Sequence, residues 1–125
     1  MKYLCLICAE KVMEQMTEAD VLEHFAEYTE FTNAIRASGH YLGCNRLLPP
    51  SEAITIRVRN GKIAMTDGPY VETKEQLGGY YLIEAVDLNE AIQVGARIPG
   101  AWRGCVEIRP VAEDKQTVTA LGLVK

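Results

Sequence analysis

The sequence predicts an α+β fold, because segments with strand and helix patterns of hydrophobicity alternate along it. Three observations carry this prediction. The elements follow in the order β-α-β, hairpin, β-α-β; Asn60-Gly61 joins two alternating segments; and 125 residues suit one domain. This is the split βαβ, ferredoxin-like order with an inserted β-hairpin, in which helices cover one face of a mainly antiparallel sheet.

The first third of the chain reads as strand, helix and strand. Residues 2–9 (KYLCLICA) are continuously apolar, as in a buried strand, and residues 10–16 form a connector. Thr17 begins a capping-box variant that predicts a helix to about Ser38. Its apolar stripe is predicted to contain Val21, Leu22, Phe25, Tyr28, Thr32 and Ile35. Residues 40–48 are predicted to form the second strand.

A hairpin and a long connection occupy the middle of the chain. Residues 53–59 alternate between apolar and polar, and 62–67 return as their partner strand. The connection to the next strand, at 80–86, contains an Asp67-Gly68-Pro69 corner. It also contains a Thr73/Gln76 capping box, which predicts one helical turn that Gly78-Gly79 ends. Ordered connections of this length are often functional.

A second helix and a last strand complete the predicted domain. Asp87 and Glu90 form a capping box, and Pro99-Gly100 ends the helix. Its core face is predicted to contain Leu88, Ala91, Ile92, Gly95, Ala96 and Ile98. Residues 104–111 alternate as a strand, so that residues 1–112 form one domain and 113–125 a tail.

Composition excludes several classes of function. The net charge is −4 and the pI about 5.2, and the basic residues are scattered, which is atypical of a nucleic-acid-binding protein. Apolar runs are too short to span a membrane, and the N-terminal run lacks a signal cleavage site, so we expect a cytoplasmic protein. Cys5 and Cys8 would point to opposite faces of a strand, which favours free thiols over a metal site or disulfide.

The hairpin and the long connection carry a resemblance to a known family. The stretch TDGPYVETKEQLGGYYLIEAVDLNEA, together with FTNAIRASGHYLG, LLPPSEAITIRVRNGK and IPGAWRGCVEIRPV, resembles the DGPF-domain branch of the YCII-related family. The resemblance extends to about residue 112. Tyr70 stands where the name-giving pattern has Phe.

The resemblance implies a dimeric α+β barrel and a His–Asp pair in a cleft. Counted back from the helix-ending glycine, the family's histidine corresponds to Tyr28, and His24 lies one turn earlier. The resemblance also implies a link to extracytoplasmic-function sigma factors. Strands that are apolar on both sides independently predict a homodimer through the free sheet face.

The candidate site residues lie on or near the long connection. His40 and Asp67 are the proposed acid and base, although Asp67 could equally close the turn. The positions Asp20, His24 and Tyr28 share one helix face and would suit a proton relay. Lys74, Glu75, Tyr80 and Arg109 are the candidate ligand-binding residues. The histidine and carboxylate spacing favours neither a metal nor a cofactor site.

Two functions therefore stay open at the level of sequence. The first is a cofactor-free acid–base enzyme that performs elimination or isomerisation on a small organic molecule. The alternative is a non-catalytic module that binds a small molecule and takes part in sigma-factor-associated transcription control. The sequence does not decide between the two.

Overall fold

A computed structural model describes residues 1–9, 16–71 and 73–122. Its elements are β1 (Lys2–Ala9), α1 (Glu18–Ala37), β2 (Tyr41–Arg46), a 3-10 turn (Pro50–Glu52), β3 (Ile54–Arg59), β4 (Lys62–Asp67), β5 (Gln76–Glu84), α2 (Leu88–Gly95), α3 (Gly100–Arg103), β6 (Cys105–Pro110) and α4 (Lys115–Ala120). Most of the predicted connector, residues 10–15, and residues 123–125 of the predicted tail lie outside the described residues.

The strands form two antiparallel sheets. Four of them pair in the order β2-β5-β1-β6, and β3 pairs with β4 in a second sheet. The hairpin turn at Asn60-Gly61 has positive φ at both residues, as its sequence requires. The predicted α+β class with antiparallel sheets is confirmed.

One face of the four-stranded sheet carries the core. Tyr3 and Cys5 of β1 and Tyr81 and Ile83 of β5 point toward the helices and are buried. Side chains alternate along a strand, so their neighbours point to the opposite face. There Leu4 lies opposite Leu82, and both are partly exposed and outside the described core. The core therefore lies between the sheet and the helices.

Helix α1 begins as predicted, but the residues that it buries match the predicted apolar stripe only in part. The Thr17 hydroxyl accepts a hydrogen bond from the Asp20 backbone N–H at 3.2 Å, which confirms the cap. The predicted apolar stripe is wrong in part, since Leu22 and Phe25 are exposed. The helix buries Ile35, as predicted, and also Phe31, which was not part of the predicted stripe. Only its second half therefore contributes to the described core.

The predicted helical turn in the long connection is wrong. Strand β5 already begins at Gln76, whose side-chain amide donates to the carbonyl of Thr73 at 2.6 Å. Gly79 does not end a helix but pairs with Ile7 of β1 and Arg46 of β2. A Cβ on Gly79 would lie 2.8 Å from the Asn45 carbonyl oxygen, so glycine permits the close approach of β2. Pairing on both sides outweighs the local helical signal.

The C-terminal elements follow the prediction with two differences. Asp87 caps α2 by accepting the Glu90 backbone N–H at 2.9 Å, as predicted, but Leu88 and Ile92 are exposed. The chain also forms α3 after Pro99, where only a helix end was predicted. The tail contains α4, and the Glu113 carboxylate just before it accepts the Lys2 backbone N–H at 3.1 Å. No helix among the described residues is long and apolar enough to cross a membrane.

Candidate functional site

A cavity of about 230 Å³ lies between helix α1, helix α3 and the neighbouring ends of β1, β2 and β5. It opens on the side of the sheet that carries the core. The polar and aromatic residues that line it include His24, Tyr28, Arg46, Tyr80, Tyr81 and Arg103. This volume lies just below the range of about 300–1,000 Å³ for drug-sized ligands, so the cavity suits a smaller organic molecule.

Helix α1 places His24 and Tyr28 together. Residues four apart share a helix face, and the two rings meet edge to face with centroids 4.9 Å apart. The Nδ1 atom of His24 is buried and has no hydrogen-bond partner within the described residues. Burial lowers the pKa of His24 below its ordinary value, and the positive charge of Arg103 lowers it further. The imidazole is therefore neutral at neutral pH.

Tyr28 is held by the turn into helix α3. Burial raises the pKa of its hydroxyl to about 12, so the group stays protonated and can donate a hydrogen bond. The Gly100 backbone lies beside this hydroxyl and, as a lesser effect, lowers its pKa. A Cβ on Gly100 would lie 2.6 Å from the hydroxyl oxygen, so the glycine allows the contact.

Two arginines, Arg46 and Arg103, line the cavity. Arg103 donates to both carboxylate oxygens of Glu27, at 2.8 and 3.4 Å. Arg46 lies over the ring of Phe25, with its guanidinium carbon 5.5 Å from the ring centroid. Among the described residues that line the cavity, two are arginines and none carries a carboxylate. The Glu27 carboxylate offsets the charge of Arg103, so Arg46 supplies the positive charge that would attract an anionic ligand.

Two of the sequence-predicted site residues, Tyr80 and His40, lie at different ends of the paired strands β2 and β5. Tyr80 lines the cavity, and its hydroxyl accepts a hydrogen bond from the Asn45 side chain at 2.8 Å. His40 is not among the lining residues. Its ring nitrogens contact the Ser38 hydroxyl at 2.7 Å and the Glu90 carboxylate at 2.8 Å, which joins the start of β2 to α2.

The other predicted site residues also lie outside the cavity lining. Asp67 is exposed at the end of β4, opposite Ile54. Lys74 is exposed before β5. The Glu75 carboxylate accepts a hydrogen bond from the Cys105 thiol at 3.1 Å, and Arg109 pairs with Glu107 on the same strand at 2.5 Å. Of the six predicted site residues, only Tyr80 is among the described residues that line the cavity.

His24 and Tyr28 had one sequence signal, their shared helix face with Asp20. The structure places both rings in the cavity, while Asp20 is exposed in the first helical turn and does not line it. Arg103 and Gly100 come from a distant segment, and the sequence does not indicate that this segment meets His24 and Tyr28. No group of three or more His, Cys, Asp or Glu residues in the described part of the chain could hold a metal ion.

Comparison with known proteins supports the resemblance noted in the sequence. The family model of the YCII-related domain matches residues 1–115. An uncharacterized protein of Rhizobium meliloti (strain 1021) is 42% identical over 69 residues, which cover 54% of this chain. The match spans 56% of that protein's length, so the chain covers about half of this relative. The chain belongs to the family of YCII-related domains.

Proposed function

We propose that the cavity binds a small organic anion and that His24 exchanges a proton with it. The domain would then be a cofactor-free acid–base enzyme that performs elimination or isomerisation. The observation that carries the proposal is the buried Nδ1 of His24, which has no hydrogen-bond partner among the described residues and lies in a cavity with two arginines. A buried polar atom without a partner is uncommon in folded proteins and suits a group that bonds to a ligand.

The neighbours of His24 fit the two halves of a proton transfer. A neutral imidazole is a general base, and the lowered pKa of His24 favours its neutral form. The protonated Tyr28 hydroxyl would donate to an oxygen that gains negative charge as the proton leaves carbon. Arg46 and Arg103 would hold the anionic group of the ligand. Asp67 and His40, the pair proposed from sequence, would then take no direct part in the proton transfer.

Binding can be tested with acetate, pyruvate and benzoate, with inorganic phosphate as the comparison anion. We expect at least one carboxylate to shift the NMR signals of the His24 ring and to raise the melting temperature. Arg103→Met should weaken binding about tenfold or more, because a charge-assisted contact is lost. His40→Gln serves as the control, since His40 does not line the cavity.

The same titrations separate the two functions that the sequence left open. Exchange of a ligand C–H proton with deuterated water that depends on His24 supports the enzyme. Binding that survives His24→Gln without any such exchange supports a non-catalytic, regulatory module. No response of the His24 signals to any carboxylate contradicts the proposed site.

We also propose that two copies associate through the uncovered face of the four-stranded sheet. The strand order β2-β5-β1-β6 fits the ferredoxin-like arrangement, and Leu4 and Leu82 are partly exposed on that face. Sheet-to-sheet packing of two such domains would give the dimeric α+β barrel expected for the DGPF branch. The Asp67–Tyr70 stretch supports assignment to that branch.

A further inference from the structure

The β3–β4 hairpin has one apolar face and one basic face. Its register places five aliphatic side chains on the same side: Ile54, Ile56, Val58, Ile63 and Met65. Each of them is 55–71% exposed. Arg57, Arg59 and Lys62 project from the opposite side. This two-sided pattern is typical of a sheet that is buried on one face and solvated on the other.

The described residues of the same chain do not cover the apolar face. The two strands contact chiefly each other, and no helix or other strand packs extensively against them. A contiguous group of exposed aliphatic side chains on a small protein marks an interaction surface. The hairpin is joined to the sheet by loops, with the Gly68 backbone N–H bonded to the Ala53 carbonyl at 2.7 Å.

We propose that the apolar face of the β3–β4 hairpin packs against a second copy of this chain. The proposal rests on the dimer proposed above and extends its interface from the sheet face to the hairpin. Each hairpin would act as an arm that reaches across to the partner. The apolar face would be buried there, while the basic face stays in water.

Charge and surface character favour a second copy as the occupant. Arg57, Arg59, Lys62 and Asp67 give the hairpin a net charge of +2. Because the whole chain has a net charge of −4, the rest of the chain carries −6. A basic arm is therefore attracted to the acidic body of an identical chain. That body also carries an apolar sheet face around Leu4 and Leu82, which the dimer interface proposed above already includes.

Photo-crosslinking tests the contact in the full-length protein. p-Benzoylphenylalanine replaces Ile63 on the apolar face or, as the matched control, Ala64 on the basic face, in mixed ¹⁴N- and ¹⁵N-labelled dimers. We expect mixed-isotope crosslinks from position 63 and at least about fivefold fewer from position 64. Crosslinks from position 63 that are only within one chain overturn the proposal.

Sedimentation equilibrium gives a second readout. Ile56→Ser/Ile63→Ser should raise the dimer dissociation constant about tenfold or more, while Ala64→Ser should leave it within twofold. An unchanged constant for the double variant overturns the arm contact but leaves the sheet-face dimer standing. A monomeric wild type overturns both. Vesicles of phosphatidylglycerol test a membrane as the alternative. If the full-length wild type binds them and the double variant does not, the apolar face belongs to a membrane and the proposal is overturned.

Discussion

His24 owes its chemical character to its surroundings. A histidine on an exposed helix turn titrates near pH 6.5 and is an ordinary surface group. Here burial and the charge of Arg103 both disfavour the imidazolium, and no neighbour takes up Nδ1 among the described residues. The imidazole is therefore neutral, and its Nδ1 has no hydrogen-bond partner among the described residues. A general base needs both properties before its substrate binds.

We predict that His24 makes the fold less tolerant of acid. Its folded pKa is lowered, so the unfolded chain binds its proton more readily. The free energy of unfolding should therefore fall as the pH drops below about 6.5, and this loss should be smaller in His24→Gln. Urea unfolding from pH 5 to 8 measures both proteins.

The two proteins should show the same pH dependence above about pH 7.5, where His24 is neutral both folded and unfolded. Ring signals in NMR give the folded pKa of His24 directly. A value at or above that of an unstructured histidine would contradict the prediction.

Cys105 illustrates how one carboxylate can lower the reactivity of an exposed thiol. The hydrogen bond to Glu75, with burial as a lesser cause, raises the pKa of Cys105 to about 11. Only the thiolate reacts with iodoacetamide. We predict slow alkylation of Cys105 at pH 8 and a rate about tenfold or more higher in Glu75→Gln, measured by peptide mass spectrometry.

Glu107→Gln is the matched control for this prediction. Glu107 contributes to the raised pKa of Cys8 but is not a cause of the shift at Cys105. Equal alkylation of Cys105 in wild type and Glu75→Gln would show that the hydrogen bond does not protect the thiol.

Strand β5 shows where local sequence rules fail at the scale of elements. The Thr73/Gln76 pair and the two glycines match a capped helical turn, and the Gln76 side chain does contact Thr73. The segment is nevertheless a strand from Gln76 onward. Its Gly79 allows β2 to approach closely, and this approach depends on residues that are far away in sequence. By contrast, the caps at Thr17 and Asp87 involve only neighbouring residues and were predictable.

We predict that the two glycines of β5 differ sharply in their tolerance of a methyl group. Gly79→Ala forces a Cβ to 2.8 Å from the Asn45 carbonyl oxygen, whereas at Gly78 the nearest atom is 3.9 Å away. Gly79→Ala should lower the free energy of unfolding by about 1–3 kcal/mol, as overpacking does. Gly78→Ala should change it by less than about 0.5 kcal/mol, as at most surface sites.

Chemical denaturation at fixed pH provides this comparison. Since the substitution is the same and the positions are adjacent, differences in intrinsic propensity cancel. Similar losses at both positions would mean that the close approach of β2 does not constrain Gly79.

The whole molecule leaves two apolar surfaces unpaired among its described residues, the helix-free sheet face and the hairpin face. A chain of this size can bury a core alone, and this one does so between its sheet and helices. The remaining surfaces are therefore not needed for the monomer's core. Their apolar character is better explained by association.

We predict that the wild type sediments at about twice the 13.9 kDa of one chain, as expected for a closed twofold dimer. Leu82→Glu places a charge on the sheet face and should shift the equilibrium strongly toward monomer. Gln93→Glu, on the exposed side of α2, is the control and should leave the mass unchanged. A monomeric wild type at micromolar concentration would contradict the sheet-face dimer.

The sequence by itself determined the α+β class, the two helix caps, the Asn60-Gly61 hairpin and the family. Each of these depends on residues close together in the chain, where backbone chemistry leaves few choices. Only the tertiary structure assigned strand β5 its full length and Phe31 its place in the core. Only it brought Gly100 and Arg103 against His24 and Tyr28. Those contacts join segments more than 70 residues apart, and local patterns carry no information on which distant segments meet.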